Sequence, residues 1–229
     1  MKIFYNHIYG TMENMDIRCS EILAKFVKPE EELDALDQGF LWHTVEGDYE
    51  IWYNSRSVRI DLKTWKNKRS KPVWNNYKEL KSDDPRFIPL YHKYIKSKNL
   101  YPYPGDSEVH KEHKLIGYFN NQDKLIGISK LREYVGAWET CLFVHDHSVP
   151  NFGRITLDHE IYLASQQGHK HLYIGSGYEK TCIYKGKIKG FEFWTGEKWN
   201  TNKEEFVRLC QRDSLVKTLR DLHDVSSSS

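Results

Sequence analysis

The chain has 229 residues, long enough to bury a self-sufficient core as one large domain or two small ones. Hydrophobic residues make up 39% and charged residues 29%, and no stretch approaches the ~18 consecutive apolar residues of a bilayer span, which excludes a membrane-spanning helix. Thirty-four Lys and Arg against 32 Asp and Glu leave a formal charge of +2, so the total demands no nucleic acid and such a partner has to be argued from local patches.

Cys19, Cys141, Cys182 and Cys210 show no CxxC spacing. They fit neither a zinc ribbon nor a dense disulfide framework, so reduced, unpaired thiols are expected. The opening Met1-Lys2-Ile3-Phe4-Tyr5-Asn6-His7 lacks the apolar run of a signal peptide, and a cytoplasmic location is expected. Fifteen Tyr, ten Phe and seven Trp are packing material first, but such rings also build stacking walls for a base or an amino-acid side chain.

In chain order, Ile17, Ile22, Leu23, Phe26 and Val27 lie near a helical stripe and predict a helix over 17–27, stopped by Pro29. A short helix is predicted from Pro29 to Gln38, with acids in its first turn and Gly39 as its C-terminal cap. Strands over 40–44 and 49–53 flank Glu46-Gly47-Asp48 as a hairpin. The run Lys66-Asn67-Lys68-Arg69-Ser70-Lys71 is either a solvated loop or a landing site for phosphates. A helix is predicted after Pro89, and the proline-rich 101–107 is a loop. Strands over 114–119 and 124–129 flank the turn Asn120-Asn121-Gln122-Asp123. A strand over 139–145, a helix over 154–167 ending at Gly168 and a compact strand over 171–175 follow. The last helix is predicted over 203–223, and the terminal serines as disordered.

A hairpin feeding a central strand, a crossover helix and another strand is the element order of the acyltransferase core of Gcn5-related N-acetyltransferases, the GNAT fold. Four stretches point further. Glu32-Leu33-Asp34-Ala35-Leu36-Asp37-Gln38-Gly39-Phe40 is a helix closed by glycine and an aromatic. Ser57-Val58-Arg59-Ile60-Asp61-Leu62-Lys63-Thr64-Trp65 is followed by the basic run. Leu90-Tyr91-His92-Lys93-Tyr94-Ile95 comes third. The fourth runs from Ile126 to Trp199 and includes His145-Asp146, Phe152-Gly153, His171-Leu172-Tyr173-Ile174-Gly175, Tyr184-Lys185 and Gly196-Glu197-Lys198-Trp199. Together they resemble the arginyl-tRNA–protein transferases and their bacterial leucyl-transferring relatives over roughly residues 30 to 200.

The resemblance implies an α+β, GNAT-like acyltransferase fold with a central mixed, largely antiparallel sheet flanked by helices. The proline-rich loop at 101–107 is expected to divide the chain into an N-terminal helical and strand part (1–100) and a catalytic core (108–225), followed by a disordered tail (226–229). The resemblance also implies transfer of an aminoacyl group from aminoacyl-tRNA as co-substrate, with a CoA thioester as the alternative donor. The acceptor is an amine, on a protein N-terminus, a base or a small molecule. The family's cysteines are absent, and Trp52-Tyr53-Asn54-Ser55-Arg56 stands in their place, so no metal or redox cluster is expected and no cofactor is required. Lys130 or a neighbour replaces an aspartate of the family, which leaves the transferred group and the acceptor open.

Aminoacyl transfer needs an activated carbonyl, an amine at attack distance, polar groups for the developing oxyanion and a path for the departing proton. The splayed end of the central strand, at Val144-His145-Asp146-His147, is expected to meet the acyl donor. His145, Asp146, Tyr173 and Tyr178 are the candidate catalytic groups. His145 beside Asp146 reads equally as a surface histidine next to a solvated acid. His145, Asp146, His147, His159 and Glu160 carry metal-ligand chemistry, but their spacing matches no established site. Trp52, Tyr53, Ser55, Arg56, Arg59, Asp61, Gly175, Glu179 and Tyr184 are candidates for holding substrate. Lys68, Arg69, Lys71 and Lys185, with Gly153 and Arg154 at a helix start, are candidates for phosphate. Two other readings fit the same residues: a GNAT-fold enzyme modifying a base or small molecule, and a non-catalytic tRNA or peptide binder.

Overall fold

The structure, a computed structural model, describes residues 2–6, 21–25, 28–47, 49–54, 56–65, 72–99, 107–146, 149–177 and 180–213. The chain forms two compact units, one of residues 1–64 with 174–229 and one of residues 65–173.

In the first unit, strands β1 (Lys2–Asn6), β2 (Glu21–Lys25), β3 (Leu41–Glu46) and β4 (Tyr49–Asn54) form an antiparallel sheet in the order β1-β2-β4-β3. The helix expected over 17–27 is therefore corrected to a strand over its described part. Its apolar spacing suits either state, and backbone pairing with β1 on one side and β4 on the other decides it. A 3-10 turn (Pro29–Glu31) leads into α1 (Glu32–Asp37). Phe40 N–H to Ala35 O (2.9 Å) and Gly39 N–H to Leu36 O (3.0 Å) close that helix as a Schellman motif. Gly39 has φ 77°, and a side chain there would collide with Trp194. β5 (Val58–Asp61) pairs antiparallel with β11 (Phe191–Trp194), which pairs with β12 (Trp199–Asn200). Phe206 of α4 (Lys203–Asp213) packs on Phe191 and Phe193, ring centres 4.7 and 5.3 Å away. Residues 214–223 of the predicted last helix lie outside the described residues, as do the basic run at 66–71 and the tail at 226–229.

The second unit is built on a sheet ordered β10-β9-β8-β7-β6, from β6 (Asn76–Leu80), β7 (His113–Phe119), β8 (Leu125–Tyr134), β9 (Ala137–His145) and β10 (His171–Tyr173). Only β9 and β10 run parallel. The predicted turn joins β7 to β8: Asn120 Oδ1 accepts from the N–H groups of Gln122 and Lys124, both at 3.0 Å. α2 (Phe87–Lys98) starts two residues before Pro89, which sits in the first turn, where a missing N–H costs nothing. Phe87, Tyr91 and Ile95 of α2 pack with Leu80, Leu115, Phe119, Ile128 and Val144 on one face of the sheet. α3 (Phe152–Gln166) covers the other, where Phe152 meets Tyr118 and Phe143. Gly127 is required there, because a Cβ would stand 2.9 Å from the Phe152 ring.

The class is α+β, with a largely antiparallel mixed sheet flanked by helices, as expected. The succession β7, β8, β9, α3, β10 is the hairpin, strand, helix, parallel-strand order of the GNAT-like core.

Candidate active site

The parallel ladder between β9 and β10 is short. His171 pairs with Ala137, Leu172 with Trp138 and Tyr173 with Glu139, and there β10 ends. β9 runs on through residues 140–145, paired with β8 on its other side. Among the described residues of this unit, that edge of β9 has no partner strand beyond Glu139. The β8 pairing shifts between Lys130–Leu142 and Leu131–Thr140, leaving Cys141 as the extra residue of a β-bulge. A bulge bends its strand and re-aims the local main chain. Its position, two residues past the last β10 pair, puts an irregular point of the sheet at this stretch.

Tyr173 is buried, its ring edge-on to Tyr134 at 6.3 Å. Tyr134 Oη donates to Glu139 Oε2 at 2.5 Å. His113, Lys130, Arg132 and Glu139 are buried with them, and Lys130 Nζ donates to Glu108 O at 3.1 Å. Burial, and then the Lys130 and Arg132 cations, push the His113 imidazole down to about 3. Burial and the neighbouring Glu139 push the Cys141 thiol well above its ordinary value. Apart from Tyr173 and Lys130, no local pattern marks this group, because the chain separates its members by up to 60 residues.

His145 and Asp146 stand at the other end of the open edge. Tyr173 pairs with Glu139, six residues earlier on β9, so the strand sets His145 about 20 Å from it at the usual rise per residue. The structure thus does not bring the two together. The His145 ring stacks on Phe143 (5.1 Å) and lies 5.3 Å from Tyr94. Its Nδ1 is 3.1 Å from the main-chain oxygen of Asp146. The Asp146 carboxylate is paired with Lys93 Nζ of α2 at 3.0 Å. Gly153 lies in the first turn of α3, and Arg154 forms an i,i+4 pair with Asp158 at 3.2 Å.

The candidates in the first unit hold architecture. Trp52 is buried and donates Nε1–H to Glu50 at 3.1 Å, and Tyr53 is half-buried against His43. Arg56 is paired with Asp213 and reaches Gly177 O at 3.4 Å. Arg59 donates to Glu192 at 2.6 Å with its guanidinium 3.9 Å over Trp199. Asp61 accepts from Lys63 N–H at 3.0 Å, closing a turn. Tyr184 and Lys185 lie on a 3-10 helix (Lys180–Lys187), whose three-residue turns leave no 3.6-residue stripe to read in the sequence. Tyr184 is exposed. Lys185 is buried, and its ammonium donates to Ile174 O (2.7 Å) and Ser176 O (2.6 Å) on either side of Gly175, whose φ is 73°. Ser55, Lys68, Arg69, Lys71, His147, Tyr178 and Glu179 lie outside the described residues.

No group of three or more His, Cys, Asp or Glu among the described residues is placed to hold a metal ion, and none of the described helices is long and apolar enough to cross a membrane.

No family model matches the chain, and neither does any curated protein. Solved structures overlap parts of it. L-PGS from Bacillus licheniformis shares 9% identity over 63% of this chain, with a TM-score of 0.40. The C-terminal domain of a putative lysylphosphatidylglycerol synthetase from Agrobacterium fabrum shares 10% over 89%, with a TM-score of 0.43. A conserved protein of unknown function from Enterococcus faecalis, titled a probable N-acyltransferase, shares 14% over 66%, with a TM-score of 0.37. The chain spans 49%, 64% and 37% of their respective lengths, and at TM-scores below 0.5 none of these likenesses carries an activity over to it.

Proposed function

We propose that the chain is an acyltransferase that moves an aminoacyl group from aminoacyl-tRNA, or a related activated acyl donor, to an amine, forming an amide. The observation that carries the reading is the edge of β9 that outruns β10, with the bulge at Cys141 beside it. An unpartnered strand edge offers main-chain N–H and C=O groups to an extended ligand, and the N–H groups suit a developing oxyanion. The acyl end of the donor lies by Tyr173 and Thr140. Its phosphate lies toward the first turn of α3, at Gly153 and the Arg154 guanidinium, where the positive end of the helix dipole favours an anion. His145 and Asp146, the latter held by Lys93, line the stretch between.

In the reaction the amine nitrogen bonds to the donor carbonyl, the ester C–O bond breaks, the leaving oxygen takes up a proton and the nitrogen loses one. Direct attack fits the chain better than a cysteine-linked intermediate, because the raised Cys141 thiol stays protonated and is a poor nucleophile at neutral pH. The test is a deacylation screen with a full set of charged tRNAs and candidate amines, with acyl-CoA thioesters as a second arm. The reading expects amine-dependent loss of one charged tRNA together with a new amide. Turnover of CoA thioesters alone would move the enzyme to the other donor class, and turnover of neither would end the reading.

A further inference from the structure

On the α3 face, five polar side chains form a continuous chain, of which the reaction above uses only the position of Thr140. Glu160 of α3 is 1% exposed. Its Oε2 accepts from Thr140 Oγ1 at 2.8 Å, and its Oε1 accepts from Ser129 Oγ of β8. Ser129 Oγ lies 3.4 Å from Tyr118 Oη of β7, which lies 3.4 Å from Nδ1 of His159. His159 is 8% exposed and meets the edge of Tyr77 on β6, itself exposed. Each hydroxyl carries one proton. Ser129 therefore donates to Glu160 only if Tyr118 donates to Ser129, and His159 must then donate to Tyr118. Reversing one member reverses all of them, which is the property of a proton-conducting chain.

One end of the chain is near the surface, and the other is Thr140, half-buried. Thr140 is the first residue of β9 beyond its last pair with β10 and adjoins the Cys141 bulge. We propose that Thr140 and Glu160 form the proton exit of the transfer reaction, an inference that rests on the transferase reading. As the amine attacks, its N–H proton passes to Thr140 Oγ while the Thr140 proton passes to the Glu160 carboxylate. The proton then leaves along Ser129, Tyr118 and His159 to water. Glu160 acts through Thr140 and touches neither substrate, so it is a positioning and relay residue.

The surroundings suit the task. Of the ionisable groups on this face, Tyr118 from β7 feels the Glu160 charge, while Tyr77 from β6 and His159 meet Tyr118 and each other, and among the described residues no lysine or arginine pairs with Glu160. Burial raises its carboxyl to about 7, against the two donated hydroxyls that lower it. A base poised near neutrality is the efficient one at neutral pH.

The deciding experiment is the pH–rate profile of transfer for wild type, Glu160→Gln, Thr140→Val and Thr140→Ser. Wild type is expected to rise through a limb near pH 7. Thr140→Val and Glu160→Gln are expected to lose that limb and about 100-fold in rate, and Thr140→Ser to keep both within a few fold. Should Glu160→Gln fail to fold, the Thr140 pair decides alone. A Thr140→Val enzyme with the wild-type limb and rate overturns the proposal and leaves the transferase reading standing. A substrate-free 13C titration of glutamate carboxyls, with Glu160 assigned by its substitution, separates the other failure. A carboxyl that ionises below pH 5 overturns the relay whatever the enzyme turns over. A midpoint near 7 in a protein inactive with every donor overturns the transferase reading, and the exit with it.

Discussion

The two faces of the sheet in the second unit bury ionisable groups in opposite settings. On the α2 side, the imidazole of His113 lies among the cations of Lys130 and Arg132. On the α3 side, Glu160 is held by hydroxyls alone. Burial penalises charge on both, driving a base down to about 3 and an acid up to about 7. One sheet thus keeps a histidine neutral on one side and a carboxyl near its switching point on the other. What separates them is the neighbour supplied by the adjoining strand, a cation in one case and a hydroxyl in the other.

The largest test of this contrast is packing on the α3 face. Phe152 is buried against Trp74, Tyr118 and Phe143, so Phe152→Ala is expected to cost about 3–5 kcal/mol, read by denaturant unfolding. The pH dependence of stability comes next. Between its native value near 3 and the ordinary 6.5, His113 binds a proton only when unfolded, so its contribution is complete above 6.5 and is lost as pH falls toward 3. Between 4.5 and about 7, Glu160 binds a proton only when folded, so its contribution is lost as pH rises. Each slope is about 1.4 kcal/mol per pH unit, and the two oppose each other from 4.5 to 6.5. Wild-type stability is expected to be nearly flat there, and Glu160→Gln is expected to uncover a rise with pH. A flat profile in that variant would remove the contrast. Gly127→Ala, forced against Phe152, is expected to cost about 1–3 kcal/mol, regained in part with Phe152→Leu. Smallest is Arg154→Ala, which breaks only a half-exposed pair and is expected to change stability by less than about 0.5 kcal/mol. On the donor-binding reading it would raise KM for the donor several-fold.

Much of the second unit was legible in the sequence. The Asn120 to Lys124 turn, the glycine after α3 and the short apolar runs of β7 and β8 are local signals. The strand at 21–25 was not legible, because its state depends on two neighbours in pairing, one of them about 30 residues away. Lys185 looked like a phosphate ligand because its burial depends on the carbonyls of 174 and 176. His145 and Tyr173 looked like partners because their order places both beside a splayed strand, while the register that separates them by six residues leaves no trace in composition. In the sequence Glu160 carries only metal-ligand chemistry. The hydroxyls that hold it come from positions 129 and 140, on two other strands.

The most direct measurement is residue-resolved amide hydrogen exchange along β9, with and without a non-hydrolysable aminoacyl-tRNA analogue. Residues 137–139, laddered on both sides, should exchange slowly throughout. The N–H groups of 140–145 that face away from β8 should exchange fast in the free protein and slow down when the donor analogue binds. Protection of those groups in the free protein equal to that of 137–139, or no change on adding the analogue, would contradict an acyl-transfer site at this strand edge.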